Sequence, residues 1–280
     1  MEIATDTTTP ADGAPPAGNA SPEGHQHRHI ARLMITPGVV LLLLLVLFPV
    51  VMEIYISLTT WTPTSGSQWY LAYKDWTWLS NYWDGLTSPS FLSAVVRTIV
   101  ITIVATGIEF LLGFGLALLF LEKFLGRGVL TVLFLVPMMI VPAVSGFVFY
   151  LLLQTSGPVN FLLSAILPGD VELRWLTDPT IAPISVTLVD IWQWTPLMFL
   201  ILLAGLMAVP EDQLQAADIL GASWYQKLRH VVLPIVKPII LIALIIRGME
   251  AFKIFDAAWL LTQGGPGEVS STISVKMYRE

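Results

Sequence analysis

The sequence contains no cysteine, which excludes disulfides, Cys-ligated zinc, iron–sulfur clusters and thiol catalysis. Charge is nearly as scarce. Charged residues make up 12% of the 280 positions against 55% hydrophobic, with a mean hydropathy of +0.74. A soluble domain carries about a quarter charged residues, so this composition describes a polytopic membrane protein. No G-x-x-x-x-G-K-S/T segment occurs, hence no phosphate cradle for ATP. H-E-x-x-H and G-x-S-x-G are missing too, and no residue pattern points to catalysis, to a bound metal or to a nucleic acid.

What is present is a series of long apolar runs. Residues 1–29 are rich in Thr, Ala, Pro and Gly without apolar periodicity and read as a disordered tail. His25, His27 and His29 alternate in that tail, where no defined ligand geometry is expected. Spanning hydrocarbon takes about 20 apolar residues in a helix. By that test five complete spans lie near 33–59, 92–121, 128–153, 181–209 and 238–262, kinked at Pro49, Pro137, Pro142, Pro183 and Pro196. With the N-terminus in the cytoplasm, inner segments hold Arg28, Arg32, Lys123, Arg127, Lys227, Arg229 and Lys237, while outer loops hold Lys74 and Arg174. That bias sets the orientation.

The first outer loop carries Trp61, Trp69, Tyr70, Tyr73, Trp76, Trp78, Tyr82 and Trp83. An interfacial aromatic belt and a sugar-stacking surface both fit it. Ionisable residues inside apolar runs are costly and mark candidate functional positions. Here they are Glu53, Glu109, Asp190, Arg247, Glu250, Lys253 and Asp256. The last four alternate in sign at i, i+3 spacing, so neighbours can pair along one helix. The row winds over about half of the helix surface, so the four cannot line one narrow face. Either they are charge pairs that let a polar helix insert, or Glu250, Lys253 and Asp256 border a water-filled path. In the fourth span, Gln193 and Trp194 precede Pro196, placed either to bond and stack with a sugar or to join helices.

Residues 211–238 form a polar island between two apolar runs. Leu214, Ala217 and Ile219 give its first half an apolar side, Gly221 interrupts the pattern, and Trp224, Leu228, Val231 and Val232 rebuild one. Two short helices bent at a glycine are expected, lying at the cytoplasmic membrane face against a partner.

Gln-Ala-Ala-x-x-x-Gly-Ala at 215–222, with Leu233-Pro234 twelve residues after Gly221, resembles the cytoplasmic signature of binding-protein-dependent ABC importers. Trp192-Gln193-Trp194-Thr195-Pro196, Ala204-Gly205-Leu206, Phe255-Asp256 and Thr262-Gln263-Gly264-Gly265-Pro266-Gly267 look like the carbohydrate permease branch, which includes the maltose and glycerol-phosphate importers. The resemblance covers roughly residues 30–280. It implies an all-α transmembrane bundle of about six spans, with the last one missing or cut off at residue 280. It also implies a coupling helix made by Gln215, Ala216, Ala217, Asp218, Gly221, Ala222 and Trp224, docking into an ATP-hydrolysing subunit. Two positions depart from the family: its Glu is Gln215 here, and its Asp before the glycine is Leu220. The implied assembly adds a second homologous permease, two ATP-binding subunits that hold ATP and magnesium, an extracytoplasmic sugar-binding protein and the lipid of a bacterial inner membrane. Trp194, Gln193, Glu250, Lys253 and Asp256 would then border the substrate path. Overall likeness to mycobacterial disaccharide importers implies trehalose as the sugar. An autonomous secondary transporter or channel, using the buried charges as an ion relay, is the rival reading.

Overall fold

The computed structural model describes residues 22–279 apart from 64, 67 and 169–171, with side chains described from Met34 onward. Most of the expected tail, and the side chains of His25, His27 and His29, lie outside the described residues. Residues 22–29 of that tail are helical backbone, because the first helix begins at Pro22. Among the described residues the structure is helical, with one isolated bridge between Thr59 and Trp76 and no strand.

The chain divides into two units, residues 1–83 and 84–280. In the first, α1 (Pro22–Ser57) exposes the apolar side chains of residues 39–48 on every side. Such an all-round apolar helix suits hydrocarbon rather than water. The chain then folds back onto the end of α1. Thr60 N–H donates to Asp75 O at 3.0 Å, Thr77 N–H to Leu58 O at 2.9 Å, and Tyr73 N–H to the Tyr55 hydroxyl at 2.9 Å. Asn81 Nδ2 donates to the carbonyl of Ser57, a terminal acceptor of the helix, and to that of Thr59 just beyond it. This pinned turn displays Trp69, Tyr70, Tyr73, Trp78 and Trp83 as exposed rings. The division between units falls within α2 (Ser80–Thr87).

The second unit is built on α3 (Pro89–Leu119), α7 (Ile181–Met207) and α10 (Leu233–Phe252). Ser88 caps α3 by accepting from Phe91 N–H, with Pro89 in the first turn, where a missing N–H costs nothing. Helices α3 and α7 run parallel and touch backbone to backbone at Gly113. A Cβ there would lie 2.9 Å from Phe199 N and 3.0 Å from Met198 Cγ. Helix α10 runs antiparallel to both, its Ile239 seated against Gly205. Ala117, Met198, Phe199, Leu202, Leu206 and Val236 make the core between them.

Two expected spans come out differently. The run at 128–153 is a pair, α4 (Arg127–Met139) and α5 (Pro142–Leu152), bent by 94°. Pro142 disfavours helical geometry in the residue before it, and Val141 is extended with ψ 132. A short α6 (Pro158–Ile166) follows. The run at 238–262 does not span as one helix either. The long helix instead starts at Trp224 and continues to Phe252. Its first turn, α9 (Trp224–Lys227), passes through a π-turn at Leu228–Val232, where Leu233 N–H reaches back to Leu228 O, and enters α10. The wider turn accommodates Pro234, which has no N–H to give. The helix stops at Lys253, and α11 (Asp256–Thr262) begins after a break. Thr272 Oγ1 donates to the freed carbonyl of Ile254 at 3.0 Å, ahead of α12 (Ile273–Arg279).

Candidate translocation site and docking surface

The break after α10 creates a cleft of about 200 Å³ between α7, α10 and the start of α5 and α11. Gln193, Trp194, Glu250, Lys253 and Asp256, the five residues expected to border a path, all line it, together with Pro142 and Asp190. Lys253 Nζ donates to Glu250 Oε1 at 2.9 Å, and both side chains are more than half exposed. Asp256 opens the first turn of α11. Gln193 is buried, and its Nε2 donates to Ile140 O at 2.8 Å, the carbonyl left free where α4 ends. That amide therefore joins helices at the bend while the residue also forms part of the wall. The cleft presents the carboxylates of Asp190, Glu250 and Asp256, the Lys253 ammonium and the Trp194 indole. This mix of hydrogen-bonding groups and one flat ring can hold a polyhydroxylated molecule with an apolar face.

Arg247 does not pair with Glu250, three residues on, as the alternating row suggests. It turns inward and is 2% exposed. Its Nη2 donates to Glu109 Oε1 of α3 at 2.9 Å, and its Nε lies 2.6 Å from Glu109 Oε2 as an ion-pair contact. The same Nη2 donates to Asp190 Oδ2 of α7. Glu109 is wholly buried and Asp190 nearly so. One cation thus joins three helices across 138 and 57 residues of sequence. The Arg247 guanidinium also lies over the Trp194 ring, 5.5 Å from its centroid. Periodicity within one helix carries no signal of such a cluster. The available signal was the occurrence of one ionisable residue deep in each of three apolar runs.

The far end of the same helix carries the bent polar segment. Helix α8 (Glu211–Ile219) ends in a Schellman turn: Gly221 N–H donates to Asp218 O and Ala222 N–H to Ala217 O, with Gly221 at φ +74. Ser223 then caps α9, its Oγ accepting from Gln226 N–H while Gln226 Oε1 accepts from Ser223 N–H at 2.7 Å. Lys227 Nζ bridges back to Asp218 Oδ1 at 2.6 Å. The expected bend at Gly221 is present, closed on both sides. Gln215, Ala216 and Trp224 are exposed, and Ala217 and Ala222 are half-buried. The Asp218 carboxylate, a candidate contact to a partner, is engaged by Lys227. Leu214 packs onto the core, but Ile219 does not share its side. Ile219 and Leu220 are 87% and 86% exposed beside Trp224 and Tyr225. Their apolar surface at the tip of the bend is the part that pattern reading missed.

Residues 109–278 match the family of binding-protein-dependent transport system inner membrane components. The chain is 40% identical over 244 residues to a probable ABC transporter permease of Sinorhizobium fredii, covering 86% of this chain and 76% of that protein. It is 33% identical to the trehalose/maltose transport system permease protein MalF of Thermococcus litoralis, covering 90% and 83%. It is 32% identical to the trehalose transport system permease protein SugA of Mycobacterium tuberculosis, covering 88% and 77%. The fold is similar to that in the crystal structure of a bacterial ABC transporter for alginate import, at a TM-score of 0.75 and 21% identity over 92% of this chain and 85% of that one. A second structure of a bacterial alginate ABC transporter, in complex with an alginate pentasaccharide-bound periplasmic protein, gives 0.74 and 20% over 92% and 84%.

Proposed function

The chain belongs to the family of binding-protein-dependent transport system inner membrane components, and from this we propose that it is a permease subunit importing a disaccharide, trehalose in the first instance, driven by ATP hydrolysis in partner subunits. The observation that carries this reading is the helix running from Trp224 to Phe252. The bent segment with its exposed Ile219, Leu220 and Trp224 stands at one end, and the cleft with Glu250 and Lys253 at the other. Force applied at the bend reaches the cleft through one rigid element. ATP shifts the transporter between inward- and outward-open states only if those states bind it differently, and this chain has no ATP cradle. The bend around Gly221 is therefore read as the contact with an ATP-binding subunit, which would hold ATP and magnesium. A second homologous permease would complete the path, and an extracytoplasmic sugar-binding protein would deliver the sugar. The Lys and Arg distribution supports a cytoplasmic N-terminus in the inner membrane. An autonomous carrier would have no use for a capped, apolar bend in water.

The test uses the assembled transporter with its binding protein in proteoliposomes. Trehalose is expected to stimulate ATP hydrolysis and to be taken up, with unlabelled maltose and sucrose competing less well than unlabelled trehalose. Lys253→Met and Glu250→Gln should each lower uptake about tenfold at unchanged assembly, the loss of one charge-assisted hydrogen bond in a transport step. Uptake unchanged in both variants would remove the cleft from the sugar's path, and failure of trehalose to stimulate would remove the substrate assignment.

A further inference from the structure

Arg247 is the largest fully buried side chain, and it stands behind the cleft rather than in it. Holding α3, α7 and α10 together does not account for it. Apolar side chains of similar volume would do so as well or better, because desolvating three ionised groups offsets their mutual attraction. Three apolar groups could not, however, fix a plane. Glu109 faces the guanidinium at two atoms, accepting a hydrogen bond from Nη2 and making an ion-pair contact with Nε, and two contacts to one planar group set its orientation. The same group meets two residues of the cleft wall: Nη2, shared with Glu109, also donates to Asp190, and the guanidinium lies over Trp194. Asp190 and Trp194 sit one helical turn apart on α7, and both line the cleft.

We propose that Arg247 is a positioning residue for transport: braced by Glu109, it holds the Trp194 ring and the Asp190 carboxylate in the one arrangement that receives the sugar. The inference rests on the cleft being part of the sugar's path. A lysine keeps the charge but offers no planar fork to span Glu109 and Asp190 and no flat face for an indole, so Arg247→Lys isolates the positioning role from the charge.

The experiment measures uptake of radiolabelled trehalose per assembled transporter in proteoliposomes for Arg247→Lys, Trp194→Ala and the double variant. A parallel sample carries 5-fluorotryptophan, with the Trp194 fluorine line assigned by its loss in Trp194→Phe. Arg247→Lys is expected to assemble normally, to lower uptake about tenfold, and to shift or broaden the Trp194 line. Trp194→Ala should lower uptake by a similar factor, and the double variant should be no worse than Trp194→Ala, because both substitutions remove the same wall. Normal uptake in Arg247→Lys with impaired Trp194→Ala would overturn the positioning role and leave the cleft reading intact. Multiplied losses in the double variant, with an unmoved Trp194 line in Arg247→Lys alone, would also overturn it. Normal uptake in both single variants would instead overturn the reading of the cleft.

Discussion

At the scale of single residues, the charges within the apolar runs divide by where their countercharge sits. Glu250 and Lys253 pair along their own helix in contact with solvent, and such exposed pairs contribute about 0–1 kcal/mol to stability. Removing either should leave folding untouched and act on transport alone. Arg247 is the reverse case. It is the cation that both buried carboxylates grip, so Arg247→Met would leave Glu109 and Asp190 facing each other in the interior. Breaking a buried ion pair from one side costs about 3–5 kcal/mol. Arg247→Met should therefore lower the unfolding temperature of the purified complex and deplete assembled transporter, while Lys253→Met leaves both unchanged. Equal thermal stability in the two variants would contradict this division. The five cleft residues were legible as candidates because polar side chains are conspicuous in apolar runs. The pairing of Arg247 was not. Helical spacing offered it Glu250 as a neighbour, whereas its partners come from two other helices through tertiary packing.

At the scale of elements, apolar length located the helices but not their ends. In the sequence, Pro142 reads as a kink within one span, but the structure bends there by 94°. The bend is a full break because Val141 is extended and Gln193 satisfies the freed Ile140 carbonyl. The long helix begins at Trp224 rather than near 238. Its first turns are polar by composition yet continuous in backbone, and a π-turn carries them past Pro234. The bend was legible at Gly221, since a glycine between two apolar patterns is a local signal, whereas the Ser223 cap that closes it and the exposed Ile219 and Leu220 beside it were not. Gly221 sits at φ +74 with no atom within 4 Å of a Cβ placed there, so alanine would meet no clash. The whole effect of Gly221→Ala is backbone strain of about 1–2 kcal/mol in the left-handed region. This variant should keep basal ATP hydrolysis and lose about tenfold in trehalose stimulation. Ser223→Ala, which removes a cap worth about 1 kcal/mol, should give a smaller loss in the same assay. Full stimulation in Gly221→Ala would show that the partner does not read the geometry of this turn.

At the scale of the molecule, the proposed partner contact at one end of the second unit must reach the cleft at the other. The helix from Trp224 to Phe252 has 29 residues and a length of roughly 43 Å, the thickness of a bilayer with its headgroups. It is held along its course at Ile239 against Gly205 and at Arg247 against α3 and α7. If it transmits as a rod, stiffness between those two points is required for coupling, whatever the side chains there. Leu241 and Ile242 lie between them and are about half exposed, so replacing them removes little internal packing. A double Leu241→Gly, Ile242→Gly variant adds about 2 kcal/mol of helix cost over alanine and a local point of flexure. The corresponding double alanine variant removes the same side chains and keeps the rod. The glycine variant should hydrolyse ATP at the basal rate yet lose trehalose-stimulated hydrolysis and uptake, while the alanine variant retains both. Retained uptake in the glycine variant would mean that the signal travels through the packed faces of α3 and α7 instead. Equal loss in both variants would assign the effect to the side chains and not to the rod.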